Sequence, residues 1–186
     1  MHPRLAAVIE HADAARAELL AAVDTIPEEL REARPSEQSW SAAEVLEHLM
    51  RVEKGVAKLL ALKIGELQSS SEPPREGPEM VAITDARFGI LASRANRIDA
   101  PERVIPEGEM SAESARAALM ETRGILLDQL HAGDGLAFSG VTHPHPFLGT
   151  LDLYEWVYFV GAHERRHAEQ VCELAAHFTA ADHRDA

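Results

Sequence analysis

The sequence is poor in cysteine and in positive charge, and each shortage excludes a class of protein. Cys172 is the only cysteine, so no intrachain disulfide can form and a reducing compartment is expected. Eighteen lysines and arginines stand against 31 aspartates and glutamates, which gives a net charge of −13 at pH 7. Because this excess of negative charge repels phosphate backbones and anionic membranes, we expect no nucleic-acid partner and no membrane partner.

Long apolar runs and convincing strand patterns are missing as well. No segment approaches the roughly 18 consecutive apolar residues that a membrane-spanning helix needs, and the first residues lack the apolar core of a secretion signal. The apolar residues, 46% of the chain, recur instead at the spacing of amphipathic helices. We therefore expect a cytoplasmic protein with one domain over 1–186, of which 179–186 form a flexible tail.

Four segments have the periodicity of long helices. They are 5–23, 41–65, 111–130 and a fourth helix that includes 156–174. Because the link between the second and third helices is long, the sequence predicts an all-α four-helix bundle with a crossover connection.

The connecting segments are rich in proline, and proline restricts their conformation. Residues 68–80 combine serine, proline, glycine and charge and are expected to form a mobile surface loop. Residues 81–98 fit either a short helix or an extended pass over the bundle. Two prolines in 100–106 favour an extended segment, and two in 142–149 favour a stiff turn.

The fourth predicted helix places two histidines one turn apart on its core-directed face. The apolar residues on the same arc as these histidines are Trp156, Val160, Val171 and Leu174. Side chains four residues apart in a helix have Cβ atoms about 5–6 Å apart, so the imidazoles of His163 and His167 can reach one metal ion. Without a metal, two buried imidazoles would need other hydrogen-bond partners.

The stretch His163-Glu164-Arg165-Arg166-His167 matches H-E-x-x-H, the zinc-protease pattern in which the glutamate is the general base. The match is short, and no glycine or third histidine follows at metzincin spacing. Glu164 also points about 100° away from His163 around the helix, toward the edge of the apolar arc. A protease is therefore not expected.

A third metal ligand is best sought in the second helix. His48 is the one histidine embedded in the apolar flank of another predicted helix. Three imidazoles would leave coordination positions open, as in catalytic zinc sites, and imidazole also suits nickel, cobalt and iron. A single histidine on a helix flank is, however, more often a hydrogen-bonded or half-exposed residue.

Three stretches of the chain resemble the DinB superfamily. They are W-S-A-A-E-V-L-E-H-L (40–49), H-P-F-L-G (145–149) and E-W…H-E-R-R-H-A-E-Q (155–170), and they follow one another in the order of the family. The resemblance covers nearly the whole chain and implies a metal-binding four-helix bundle, often a homodimer. Characterised members are thiol-dependent enzymes, such as bacillithiol transferases and mycothiol-dependent maleylpyruvate isomerase, and many members have no known reaction.

The resemblance implies that His48, His163 and His167 hold a divalent transition metal, most simply zinc or nickel. It also implies a low-molecular-weight thiol as cofactor, and hence transfer of that thiol to a small electrophilic substrate. A metal-dependent hydrolase of the same fold and a non-catalytic bundle that binds a ligand or a partner remain alternatives. The resemblance supplies no general base, and Glu44 and Arg166 are more typical of surface or supporting residues than of catalytic ones.

Neighbours of the histidines have roles that the sequence leaves open. Gln170, one turn after His167, could orient that imidazole or a bound water. His143 and His145 share the proline-rich turn, and either could lie near the mouth of the site. Cys172 points almost opposite to the histidines and is expected to be a small packing residue rather than a ligand.

The far face of the fourth helix is small and aromatic where a solvent-facing surface would be charged. Its residues are Tyr154, Tyr158, Gly161, Ala168, Cys172 and Ala176. This face predicts either a two-fold dimer through the fourth helix or cover by 81–98 or by the N-terminal connector.

Overall fold

Four long helices pack side by side in the computed structural model, which describes residues 1–78, 83, 85–92 and 99–185. The helices are α1 (Pro3–Asp24), α2 (Ala42–Gln68), α3 (Asp85–Ala92), α4 (Ala112–Ala132) and α5 (Leu153–Asp185). Helix α1 packs along α5 and α2 packs along α4, while the short α3 lies against α5. The predicted four-helix bundle is confirmed. Among the described helices, none is both long and apolar enough to cross a bilayer.

Side-chain caps begin two of the long helices where the sequence predicts. The Ser41 hydroxyl accepts a hydrogen bond from the Glu44 backbone N–H, and the Glu44 carboxylate accepts one from the Ser41 backbone N–H. Ser111 accepts from the Ser114 backbone N–H at the start of α4. Glu44 also forms an ion pair with Arg34. Its buried carboxylate therefore has two structural roles, in the helix cap and in this ion pair.

The link between α2 and α4 contains more regular structure than its composition suggests. Residues 85–92 are helical, which agrees with one of the two alternatives for 81–98, and the remainder of that segment except Ile83 lies outside the described residues. Within 68–80, Arg75 forms a bridge with Leu136, and the Glu76 carboxylate accepts hydrogen bonds from the Ser139 backbone and hydroxyl. The loop is thus fastened at this point, and mobility elsewhere in 68–80 stays a prediction.

Two short strands replace the stiff turn that was expected before α5. Strand β1 (Thr142–His145) pairs antiparallel with β2 (Gly149–Asp152). A two-stranded ribbon leaves one edge of each strand unbonded, so a strand can contain Pro144, which has no N–H to donate. Gly149, at φ 74°, begins the return strand in a backbone conformation that favours glycine.

The segment 100–106 also differs from its expected extended form. Glu102–Val104 is one turn of 3₁₀ helix, and Pro101 immediately precedes it, where a missing N–H costs nothing. Ile105 returns to extended backbone, as the residue before Pro106 must. The two prolines therefore bracket a short turn instead of straightening the whole segment.

The core consists of two apolar clusters with a layer of charged side chains between them. Each long helix contributes one residue to this charged layer at the point where its buried face passes from one cluster to the other. The four residues are Arg16, Glu53, Arg123 and Glu164, and each is at most 5% exposed.

Every member of the charged layer bonds to both residues of opposite charge. Arg16 donates to Glu53 Oε2 at 2.6 Å and to Glu164 Oε1 at 2.9 Å. Arg123 donates to Glu53 Oε1 at 2.6 Å and to Glu164 Oε1 at 3.1 Å, and it also reaches Asp13 at 2.9 Å. Burial raises the pKa of Glu164, and the two arginines oppose that change. Buried ions are tolerated only when they are paired in this way.

Helix α1 covers the far face of α5 around Tyr158 and Gly161, whereas Cys172 and Ala176 on the same face are exposed. The rings of Tyr158 and His11 stack with centroids 3.8 Å apart, and a Cβ on Gly161 would lie 2.5 Å from His11 Cδ2. The ring centroids of Phe88, in α3, and Tyr158 lie 4.8 Å apart. The predicted cover of this face by the 81–98 segment is therefore confirmed in part. The sequence did not predict cover by α1, and the homodimer stays a prediction.

Two further predictions concern the C-terminal half of α5. Cys172 is exposed, so its assignment as a packing residue is wrong, because none of the described elements covers this position. The helix continues to Asp185, into the segment 179–186 that was expected to form a tail. Flexibility of that segment stays a prediction.

Candidate metal centre

The three histidines singled out in the sequence meet at one point between α2 and α5. His163 Nε2 lies 3.3 Å from His48 Nε2 and 3.1 Å from His167 Nε2. The ligand atoms of all three lie within 4.8 Å of one another. His48 and His167 are buried and His163 is half-buried, so the cluster forms part of the bundle wall.

Hydrogen bonds on the opposite side of two rings fix which nitrogen faces the cluster. His48 Nδ1 lies 2.8 Å from the Val104 carbonyl oxygen, and His167 Nδ1 lies 2.8 Å from Gln170 Oε1. Because each oxygen only accepts, each Nδ1 carries the hydrogen and each Nε2 presents a lone pair. Gln170 therefore orients His167, as the sequence suggested.

The electrostatic surroundings favour the neutral form of His48 and His163 at pH 7. Burial lowers the pKa of His48 below 6.5. Burial lowers the pKa of His163 well below 6.5, and the neighbouring His167 and His48 lower it further. Neutral imidazoles with converging lone pairs, 3.1–3.3 Å apart, repel one another unless a proton or a cation lies between them. This all-nitrogen donor set fits a divalent transition metal.

The histidine cluster lies on the wall of an open cleft of about 1040 Å³. Aromatic side chains form much of the wall: Trp40, Phe147, Trp156 and Phe159. The charged lining residues are mainly cationic, with Arg51, Arg103 and Arg166 against Asp99 among the described residues. The cleft thus has the size and apolar lining of a small-molecule site, with a positive lining in an acidic protein.

The hairpin places His145, rather than His143, in the buried part of the cleft wall. His145 is 8% exposed, and its ring centroid lies 4.4 Å from Phe159 and 5.0 Å from Trp156. His143 is exposed, although it also lines the cleft, and its backbone carbonyl accepts a hydrogen bond from Trp156 Nε1.

Glu164, the central acid of the H-E-x-x-H match, does not line the cleft. Its carboxylate is directed into the core, where Arg16 and Arg123 hold it in the charged layer. A general base must reach the reacting groups in the cleft, so the protease interpretation has no structural support. Arg166 does line the cleft, and its guanidinium donates to the Leu91 carbonyl at 3.2 Å.

The contribution of the Glu102–Val104 turn was not predicted from the sequence. Its Val104 carbonyl holds His48, and its Arg103 lines the cleft. A backbone carbonyl 56 residues from its partner leaves no signal in the spacing of side chains. Arg103 could have been noticed only as a cation between two prolines.

Comparisons with known proteins agree with this architecture. The family model described as the DinB superfamily matches residues 11–171. A protein of Bacillus subtilis (strain 168), named uncharacterized protein YuaE, is 27% identical over 142 residues, which cover 76% of this chain and 80% of that protein. The crystal structure of TT2238, a four-helix bundle protein, superposes with a TM-score of 0.57 at 20% identity. It covers 90% of this chain and 97% of that chain, and it supports the fold alone.

Proposed function

The chain belongs to the DinB superfamily, and on that premise we propose that it binds one divalent metal, zinc or nickel, and transfers a small thiol to an electrophilic molecule. The observation that carries this proposal is the convergence of His48, His163 and His167 on the wall of a cleft. When bound there, a divalent ion supplies positive charge that lowers the pKa of a thiol and so favours the nucleophilic thiolate.

The side chains around the histidines support this role by fixing geometry and by shaping the cleft. Val104 and Gln170 hold two of the rings with their Nε2 atoms toward the cluster, which is the usual function of such partners in metal sites. The aromatic wall offers apolar surface to the body of a small electrophile.

The thiol must come from a second small molecule. Cys172 is the only cysteine of the chain, and it does not line the cleft. In the transfer, the thiol loses its proton to water, the sulfur electron pair forms the new S–C bond, and the leaving group departs with the electron pair of the bond that breaks. The histidine rings are held for binding and take no part as nucleophiles.

A thiol-transfer assay tests the proposal directly. Zinc- or nickel-loaded protein is mixed with 1-chloro-2,4-dinitrobenzene and a panel of small thiols, and thioether formation is followed by absorbance. We expect a rate above the uncatalysed one that requires both metal and thiol. His163→Ala should lose this rate because it removes one imidazole from the cluster, whereas His143→Ala should keep it. Hydrolysis of ester or amide substrates without any thiol would instead support the hydrolase, and no turnover in either assay would support the non-catalytic bundle.

The pH dependence of metal affinity is a second expected outcome. Protons and metal compete for the same imidazole lone pairs, so affinity should fall as pH falls. Because the folded pKa values of His48 and His163 lie below 6.5, affinity should change little between pH 7.5 and 6.5 and should weaken at lower pH. Competition with a chromogenic chelator at a series of pH values measures this. Constant affinity down to pH 4 would argue against histidine ligands.

A further inference from the structure

His145 presents a fixed hydrogen-bond donor to the cleft. Its Nδ1 accepts hydrogen bonds from the backbone N–H groups of Phe147 at 3.2 Å and Leu148 at 3.3 Å. A nitrogen that accepts has a lone pair, so the neutral ring must carry its hydrogen on Nε2. Burial, together with the charge of Arg103, lowers the pKa of His145 to about 4, so the ring is neutral at pH 7.

The Nε2–H group of His145 is ready to bind a ligand atom. In the part of the chain that the structure describes, no hydrogen-bond partner contacts this nitrogen, although the side chain is only 8% exposed. Contacts with Phe159 and Trp156 fix the plane of the ring on the cleft wall. Because this nitrogen is not among the fully buried unpaired atoms of the described residues and His145 lines the open cleft, the N–H group can donate to an acceptor atom of a ligand.

Arg103 adds a positive charge to the wall of the same cleft, where it is near enough to lower the pKa of His145. Among the described residues, no carboxylate lies within ion-pair distance of its guanidinium, whereas Arg51 on the same cleft pairs with Glu47 and Glu107. The 3₁₀ turn places Arg103 next to Val104, whose carbonyl holds His48. The position of this arginine is therefore tied to the position of the histidine cluster.

We propose that His145 Nε2–H and Arg103 together bind a carboxylate on one of the two small molecules that enter the cleft, either the thiol or the electrophile. A neutral donor beside a guanidinium suits an oxyanion, since both groups donate and neither accepts. This inference rests on the proposed function for the identity of the two molecules, but the binding itself can be measured without turnover.

Calorimetric titration of zinc-loaded protein with matched carboxylate and amide probes tests this carboxylate-binding pocket, formed by His145 and Arg103. One pair is 3-mercaptopropionate and 3-mercaptopropionamide, and the other is 4-chloro-3,5-dinitrobenzoate and its amide. We expect the carboxylate of one pair to bind about ten-fold tighter than its amide, as for a hydrogen bond to a charged group. The pair that shows this preference identifies which of the two molecules carries the carboxylate.

Three variants distinguish carboxylate binding by Arg103 and His145 from a general effect of the protein's charge. Arg103→Gln should abolish the preference for the carboxylate. His145→Asn should reduce it, because the asparagine oxygen can still accept from the hairpin backbone while the Nε2–H donor is gone. Arg116→Gln removes the same charge outside the cleft, where Arg116 pairs with Asp24, and should leave the preference unchanged.

The outcomes also distinguish this inference from the thiol-transfer proposal. Three outcomes would each contradict the proposed carboxylate-binding pocket. They are equal binding of carboxylate and amide in both pairs, binding of neither carboxylate, and a full preference for the carboxylate in Arg103→Gln. Thiol transfer without any carboxylate preference would leave the proposed function in place. A carboxylate preference without thiol transfer would support the pocket and contradict the transferase.

Discussion

Protein purified without a histidine tag should contain about one zinc or nickel ion per chain, as expected for a site with three protein ligands. His163→Ala and His167→Ala should each lose most of this metal, because each removes one of the three imidazoles of the cluster. Elemental analysis by mass spectrometry gives the stoichiometry, and circular dichroism shows whether each variant keeps its helices.

The hairpin provides the control for this experiment. His143 lines the same cleft but is exposed and lies outside the cluster, so His143→Ala should keep nearly all of the metal. Full metal occupancy in the His163→Ala, His167→Ala double variant would show that the metal is bound elsewhere. Absence of metal from the wild-type protein, even after incubation with zinc and nickel, would remove the basis of the proposed function.

Glu164→Gln should lower the free energy of unfolding by about 3–5 kcal/mol, the usual cost of removing one partner from a buried ion pair. The substitution preserves size but leaves two buried guanidinium groups, those of Arg16 and Arg123, with one carboxylate fewer. Urea unfolding followed by circular dichroism measures the change. The expected loss is a large fraction of the stability of an ordinary domain.

Glu169→Gln is the matched control, because Glu169 lies on the same helix and is exposed. A surface substitution of this kind is expected to change stability by less than about 0.5 kcal/mol. If the two variants differed by less than about 1 kcal/mol, the charged layer would contribute little to stability.

The long helices and the paired histidines could be predicted because both depend on spacing within one segment. Amphipathic periodicity identified the four helices of the bundle, and a separation of four residues was enough to place His163 and His167 on one face. His48 was found by the same reasoning, as a histidine on the buried flank of its own helix. Local patterns of this kind survive folding because the helix that contains them is regular.

The charged layer could not be predicted because its bonds join residues far apart in the sequence. Arg16 and Glu164 are 148 positions apart, and each looks like an ordinary charged residue on an amphipathic helix. The same reason explains why the cover of α5 by α1 was missed, since pairing of helices is not visible in either helix alone. The protonation of His145 depends on two backbone N–H groups of a hairpin whose prolines concealed the strand pattern.

The charged layer also sets the position of α5 along the axis of the bundle. Sliding α5 by one helical turn, about 5.4 Å, would carry Glu164 out of reach of Arg16 and Arg123. The same movement would carry one of His163 and His167 past His48, which belongs to α2, and bring the other to about its place, so the two imidazoles could no longer face His48 together. Because Glu164 and His163 are consecutive residues, the alignment that pairs the buried ions is also the alignment that assembles the three imidazoles. The packing of the helices alone therefore brings the three imidazoles together, so binding of a metal there is expected to require no rearrangement of the helices.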